Sequence, residues 1–318
     1  MDIVFAATGL VVLLLAGDAL VRGAVNLGLR LGVPVLIVSL TVVAFGTSAP
    51  ELLIAVQAVM KDLPGIAVGN VVGSNIANIL MVMGFPALLF GINSSQCDSR
   101  KTYGFMLGAT VIFIALAFLG PLFFWHGVIL LALLGAMLTE SFLSAQKHRR
   151  EGNGASCGDD LEELEEADPA MSLWKIVLYL VLGVVGLPLG AQLLIDGALG
   201  IARQLGVSEA VIGLTLVAIG TSLPELATTL AAAMRRHGDV VLGNAIGSNM
   251  FNILGIMGVA SFFGPVDIPA EFLRFDLWVM LAASLVILPF VFGKLNINRI
   301  WGGVLSLLYI IYMVVLLA

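Results

Sequence analysis

The sequence predicts an all-α membrane protein: ten transmembrane helices in two inverted five-helix repeats, with broken helices at the membrane midplane. Three observations carry this. Hydrophobic residues make up 60% of the 318 and charged residues 11%, with a mean hydropathy of +1.08. A soluble domain is nearer a quarter charged. The apolar runs are long and lack the alternation of barrel strands, so helices must span. Finally, Gly46-Thr47-Ser48-Ala49-Pro50-Glu51-Leu52 recurs as Gly220-Thr221-Ser222-Leu223-Pro224-Glu225-Leu226.

A second motif follows each copy. Gly69-Asn70 and Gly73-Ser74-Asn75-Ile76-Ala77-Asn78 are matched by Gly243-Asn244 and Gly247-Ser248-Asn249-Met250-Phe251-Asn252. The offset is 174 throughout with no gap, so the chain is an internal duplication.

Polar and Pro/Gly punctuation divides the chain into helices at about 3–29, 35–60, 64–91, 103–120, 123–145, 173–199, 209–234, 239–264, 275–293 and 299–317. The first run, from Ile3, follows Asp2 in place of a basic start and reads as a retained span rather than a cleaved signal. The segments group into a first half (1–145, repeat about 35–91), a linker (146–172) and a second half (173–318, repeat about 209–264). The linker opens on Lys147-His148-Arg149-Arg150 and is then rich in Asp and Glu, too polar to bury anything and without the spacing of a Ca²⁺-binding loop. Cys97 and Cys157 form no disulfide framework.

With both termini outside, twelve of the 15 Lys and Arg fall on cytoplasmic loops or helix ends, which puts the 146–172 linker in the cytoplasm. Five spans separate equivalent points of the two copies, so the second crosses in the opposite sense, the architecture of many secondary transporters.

Glu51 and Glu225 fall mid-span, where a carboxylate costs on the order of 3 kcal/mol on insertion scales. No Lys or Arg lies near either on its own helix, so a bound cation or a proton is the expected counter-charge. Pro50 and Pro224 cannot donate to the carbonyls of Gly46 and Gly220, so each helix should break and free carbonyls over 44–48 and 218–222. Those carbonyls, the hydroxyls of Thr47, Ser48, Thr221 and Ser222 and the two carboxylates form an all-oxygen set, which suits Ca²⁺ and Na⁺. His126, His148 and His237 are scattered and form no metal set. Ser74 and Asn78 share a helix face, as do Ser248 and Asn252, and are read as cavity lining; Asn75 and Asn249 are read as interhelical hydrogen-bonding residues. Asp18 and Arg22 are expected to pair structurally, and Glu140 to be an interfacial charge. No hydrolytic set lies within a span, and no basic patch points to nucleic acid, so an enzyme or a nucleic-acid binder is not expected.

The duplicated Gly-Thr-Ser-x-Pro-Glu and Gly-Ser-Asn-x-x-Asn motifs resemble the α-repeats of the calcium/cation antiporter superfamily, most nearly the prokaryotic members of its sodium/calcium exchanger branch. The resemblance covers nearly the whole chain. It implies an antiporter exchanging Na⁺ for Ca²⁺ in a bacterial inner membrane, with no cofactor, the ions being cargo. It further implies a central Ca²⁺ site of Glu51, Glu225 and the carbonyls of Thr47 and Thr221. Flanking Na⁺ sites would use Ser74, Ser248 and the carbonyls of Ala44 and Ala218, with Asn78 and Asn252 completing the centre. Some relatives carry Asp where this chain has Asn78 or Asn252, which leaves the number of co-bound ions open. Thr-Ser before the glutamate favours Na⁺ as driver over the proton-coupled branch; a proton-coupled exchanger and, in a different class, a cation channel are the rivals.

Overall fold

The computed structural model describes residues 2–32, 35–94, 99–150, 168, 170–204 and 220–317. The helices are α1 (Asp2–Leu31), α2 (35–47), α3 (Ala49–Met60), α4 (Pro64–Phe90), α5 (Arg100–Leu119), α6 (Phe124–Arg150), α7 (Leu173–Gln204), α8 (Leu223–Met234), α9 (Gly238–Ala260), α10 (Phe272–Phe292) and α11 (Arg299–Leu317). Among the described residues, eight helices are long and apolar enough to cross a membrane, and α2 with α3 makes a ninth span bent by 51°. The tenth expected span, 209–234, is described only from Gly220 onward.

The inversion is visible in the packing of α1 on α7. A Cβ built on Gly9 would come within 3.0 Å of Leu194, and one on Gly183 within 3.0 Å of Leu20. Gly23 stands in the same relation to Leu180, and Gly197 to Ala6. Each contact maps onto its partner under the 174 offset. As the numbers rise from 6 to 23 along α1, their contacts fall from 197 to 180 along α7, so the helices are antiparallel. A two-fold axis relating antiparallel spanning helices must lie in the membrane plane, which is the inverted arrangement. Glycines permit it because, without a hydrophobic drive between helices in lipid, association depends on close backbone approach.

Turn geometry repeats too. Ser48 (φ −84°, ψ 4°) and Ser222 (φ −90°, ψ 6°) each precede a half-helix with proline in its first turn. Asp62 and Arg236, at φ 56° and 60°, make the same left-handed turn 174 residues apart.

The most enclosed helices are α9 and α4, with 94% and 72% of their apolar windows buried, against at most 44% for the other spanning helices. These two carry the Gly-Ser-Asn-x-x-Asn motifs, so the polar motif helices form the centre and the purely apolar ones face lipid. That is the order expected where polar groups must avoid hydrocarbon.

Helix boundaries follow the sequence expectation within a few residues, with two extensions. α6 runs to Arg150 and α7 to Gln204, so the first five residues assigned to the linker are helical. The acidic stretch 151–167 lies outside the described residues. Where the chain resumes, Asp168 N–H donates to Asn26 Oδ1 at 3.0 Å and Arg30 donates to the Met171 carbonyl at 3.1 Å. The end of this segment is therefore tied to the C-terminal end of α1.

Candidate cation site

Each motif glutamate stands in the first turn of a half-helix, Glu51 in α3 and Glu225 in α8, directly after the break. Free backbone N–H groups and the dipole favour negative charge there. Both residues are 1% exposed.

The halves interlock at this point. Ser48 Oγ donates to Glu225 Oε1 at 3.3 Å, and Thr47 Oγ1 lies 3.5 Å from Asn244 Oδ1. Asn78 Nδ2 donates to Asn249 Oδ1 at 3.1 Å, and Asn249 Nδ2 to the Asn75 carbonyl at 3.3 Å. These contacts bring Thr47, Ser48, Asn78 and Glu225 to the interface of the halves; they and the motif residues Glu51, Ser222, Ser248 and Asn252 are all at most 4% exposed. Ser74 is also buried, while Thr221 is partly exposed; both line a cavity described below.

Six buried oxygens of this set accept no hydrogen bond: Glu51 Oε2, Glu225 Oε2, Ser222 Oγ, Ser248 Oγ, Asn78 Oδ1 and Asn252 Oδ1. A buried acceptor left unpaired costs about 1–3 kcal/mol. Six such oxygens in the motif residues, two of them carboxylate, fit a site completed by a cation. Among the described residues the ion pairs are Asp18 with Arg22 and Arg235, and Lys101 with Glu140, so no protein cation neutralises the glutamates. Nor do three or more His, Cys, Asp and Glu gather as a transition-metal site would require.

Several expectations change. The break was expected to free the carbonyls of 44–48, but Ala44 accepts Ser48 N–H at 3.0 Å and lies 3.3 Å from Thr47 Oγ1, while Ser48 accepts Leu52 N–H at 3.2 Å. α-Helical bonding thus closes on Ala44 and Ser48, the two ends of the stretch, and the helix breaks between them, where Pro50 cannot donate to Gly46. Ala44 is therefore engaged within the protein; Ala218 lies outside the described residues. Interhelical hydrogen bonding holds for the Asn249 side chain but not for that of Asn75, whose amide is buried with no partner. Asp18 does pair with Arg22, at 2.9 Å, and also takes Arg235 across to the end of α8. Glu140 pairs with Lys101.

Asn70 and Asn244 were missed as site residues. Asn70 Nδ2 donates to the backbone carbonyl of Glu51 at 3.1 Å, and Asn244 Nδ2 to that of Glu225 at 3.3 Å. Asn244 Nδ2 also reaches Thr229 Oγ1 at 3.0 Å. The signal was present: Gly-Asn recurs at the same offset in both copies. Its role was hidden because the acceptor is backbone, which carries no sequence label.

The family model described as "Sodium/calcium exchanger protein" matches residues 1–143 and 175–318. The sodium/calcium exchanger MaX1 of Methanosarcina acetivorans is 34% identical, over 97% of this chain and 96% of its own. The inner membrane protein YrbG of Escherichia coli K12 is 34% identical, over 87% and 85%. Among solved structures, the sodium-calcium exchanger NCX_Mj soaked with 2.5 mM Na⁺ and 0.1 mM Ca²⁺ superposes with a TM-score of 0.78 at 32% identity, covering 98% of this chain and 97% of that one.

Proposed function

The chain belongs to the sodium/calcium exchanger family, and we propose that it exchanges Na⁺ for Ca²⁺ at the Glu51/Glu225 site by alternating access. The observation that carries this reading is the set of six unpaired buried oxygens, two of them carboxylate, with no lysine or arginine among the described residues pairing with the glutamates.

The chemistry follows from charge and ligand type. Hard cations take carboxylate, hydroxyl and amide oxygens, and the core offers all three. Both glutamates serve whichever ion is bound, so Na⁺ and Ca²⁺ compete for the same carboxylates and occupancy by one displaces the other. Ser222, Ser248, Asn78 and Asn252 supply the neutral ligands. Thr47, Thr221 and Ser74 add oxygens at the edges, while Ser48 orients Glu225 through its 3.3 Å hydrogen bond.

With both carboxylates ionised and no ion bound, the two halves would have to slide past one another carrying buried uncompensated charge, which low-dielectric surroundings penalise heavily. Bound cation removes that charge. Only the loaded protein therefore changes sides, and this coupling makes transport an exchange rather than a leak. The orientation that satisfies the basic-residue asymmetry has both termini outside and the 146–172 loop in the cytoplasm.

The test is ⁴⁵Ca²⁺ uptake by proteoliposomes loaded with Na⁺ and diluted into Na⁺-free buffer, beside liposomes given only a pH gradient. Uptake driven by Na⁺ and lost in Glu225→Gln is the expected result. Uptake driven only by the pH gradient would move the same site to proton coupling, and uptake needing no counter-ion would make it a channel.

A further inference from the structure

A third carboxylate stands in the second turn of α10, near one end of that span and away from both motifs. Asp276 is 6% exposed, and its Oδ1 accepts a hydrogen bond from the Tyr312 hydroxyl of α11 at 2.9 Å. Among the described residues no lysine or arginine pairs with it: Arg274, two residues before, is exposed and not bonded to it. A lone tyrosine donor does not offset the cost of an ionisable group at this depth, and such groups mark ion pathways.

Asp276 is in the wall of a cavity of about 480 Å³, whose polar lining includes Asn70, Ser74, Thr221 and Tyr312. Along α4 the lining runs from Ile66 to Ser74. Eight residues of helix rise about 12 Å, so the cavity reaches from near the start of α4 inward to the proposed cation ligands. At about 30 Å³ per water it has room for a cation with a partial hydration shell.

We propose that Asp276 and Tyr312 form a cation station on the way from one membrane face to the Glu51/Glu225 site. The carboxylate draws a partly hydrated Na⁺ or Ca²⁺ into an otherwise largely apolar cavity and passes it to Ser74 and Thr221. The device serves one face only. Under the 174 offset its counterparts are Thr102 and Leu138, neither of which carries charge. The matching cavity between α5 and α6 is lined by Glu140, but that carboxylate is paired with Lys101, so the opposite route offers no unneutralised carboxylate there and the exchanger is unequal in its cation affinity from the two sides.

This rests on the exchange reading above, and the experiment separates the two. ⁴⁵Ca²⁺ uptake driven by internal Na⁺ is measured in right-side-out and inverted membrane vesicles from the same cells, each reporting half-saturation at its outward-exposed face. For Asp276→Asn the half-saturating Ca²⁺ concentration should rise about five-fold in one vesicle type, with maximal rate and the other type unchanged, as expected when a charge that concentrates cations in a cleft is removed. Asp276→Glu should restore it. Tyr312→Phe, which keeps the carboxylate, should give a smaller shift at the same face and guards against a folding defect in the first variant. An equal shift at both faces, a loss of maximal rate alone, or no shift in either variant overturns the station while wild-type exchange stands. Absence of Na⁺-driven uptake in the wild type overturns the exchange reading itself, and the station with it.

Discussion

Ser48 of the first repeat donates its hydroxyl to the carboxylate of Glu225 in the second, at 3.3 Å. The break in one half thus furnishes a positioning group for the acid of the other, and neither repeat holds a complete site alone. Ser222, the equivalent of Ser48, has its hydroxyl buried and unpaired, so the two carboxylates are not held alike. This asymmetry underlies the first prediction.

Ser48→Ala should weaken Ca²⁺ affinity more than Ser222→Ala does, by roughly ten-fold or more, because a hydrogen bond to a charged group contributes about 1.5–3 kcal/mol. Half-saturation of ⁴⁵Ca²⁺ uptake by the two variants checks the order.

Glu51→Gln should remove ion-dependent stabilisation. Bound Ca²⁺ at a hundred times its Kd adds about 2.7 kcal/mol to the wild-type protein. The variant keeps the shape of the side chain but loses the charge, so its melting temperature in detergent should not rise with Ca²⁺. A wild-type-sized rise would place the ion elsewhere.

Asn244→Ala should cost more than Asn70→Ala. Both remove a hydrogen bond to a glutamate backbone carbonyl, but Asn244 also contacts Thr229 and lies beside Thr47. Leaving those buried groups unpaired costs about 1–3 kcal/mol each. Thermal melting of the two variants, with and without Ca²⁺, separates structural loss from loss of binding.

Gly9→Val or Gly183→Val should disrupt the α1–α7 pairing, because even a Cβ at either position meets the opposing helix within 3.0 Å. Overpacking of this kind costs about 1–3 kcal/mol. Gly135→Ala, with nothing within 4 Å of its Cβ, is the control. Fluorescence-detected gel filtration after heating should show lower melting temperatures for the first two and no change for the third.

His237, in the turn between α8 and α9, is held below its ordinary value of 6.5 by burial, with Arg235 adding and Asp239 opposing. The unfolded chain therefore takes up a proton at a pH where the folded chain does not. Its contribution to stability is full above pH 6.5 and declines as pH falls from 6.5 towards the lower folded value. Melting temperature should drop over that window, and His237→Gln should flatten the decline.

Much of the site was legible before any coordinates because function here is written as a spaced repeat. Glu51 and Glu225 announce themselves by charge in an apolar span, and the 174 offset links every other motif residue to a partner. Asn70 and Asn244 were visible as repeated residues but not as positioning groups, since they bond to backbone. For Ala44, proline predicts which donor is lost, but not that the N–H of Ser48, two residues before Pro50, would still close on its carbonyl. Asp276 and Tyr312 lie outside both repeated motifs, and the positions 174 residues before them hold Thr102 and Leu138, so no second copy draws attention to them.

The sequence by itself determined the class of molecule and the inversion of its two halves, and it singled out the residues of the candidate site. Hydrocarbon forbids unpaired backbone and charge so strictly that composition and periodicity leave few alternatives, and duplication with an odd number of intervening spans dictates inversion. Only the tertiary structure decided which oxygens of that set are already bonded and which stand open, that Ser48 of the first half orients Glu225 of the second, and that Asp276 and Tyr312 share a cavity wall with Ser74. Those depend on contacts across 177 residues between Ser48 and Glu225, or 36 between Asp276 and Tyr312, which are set by helix packing and leave no periodic trace along the chain.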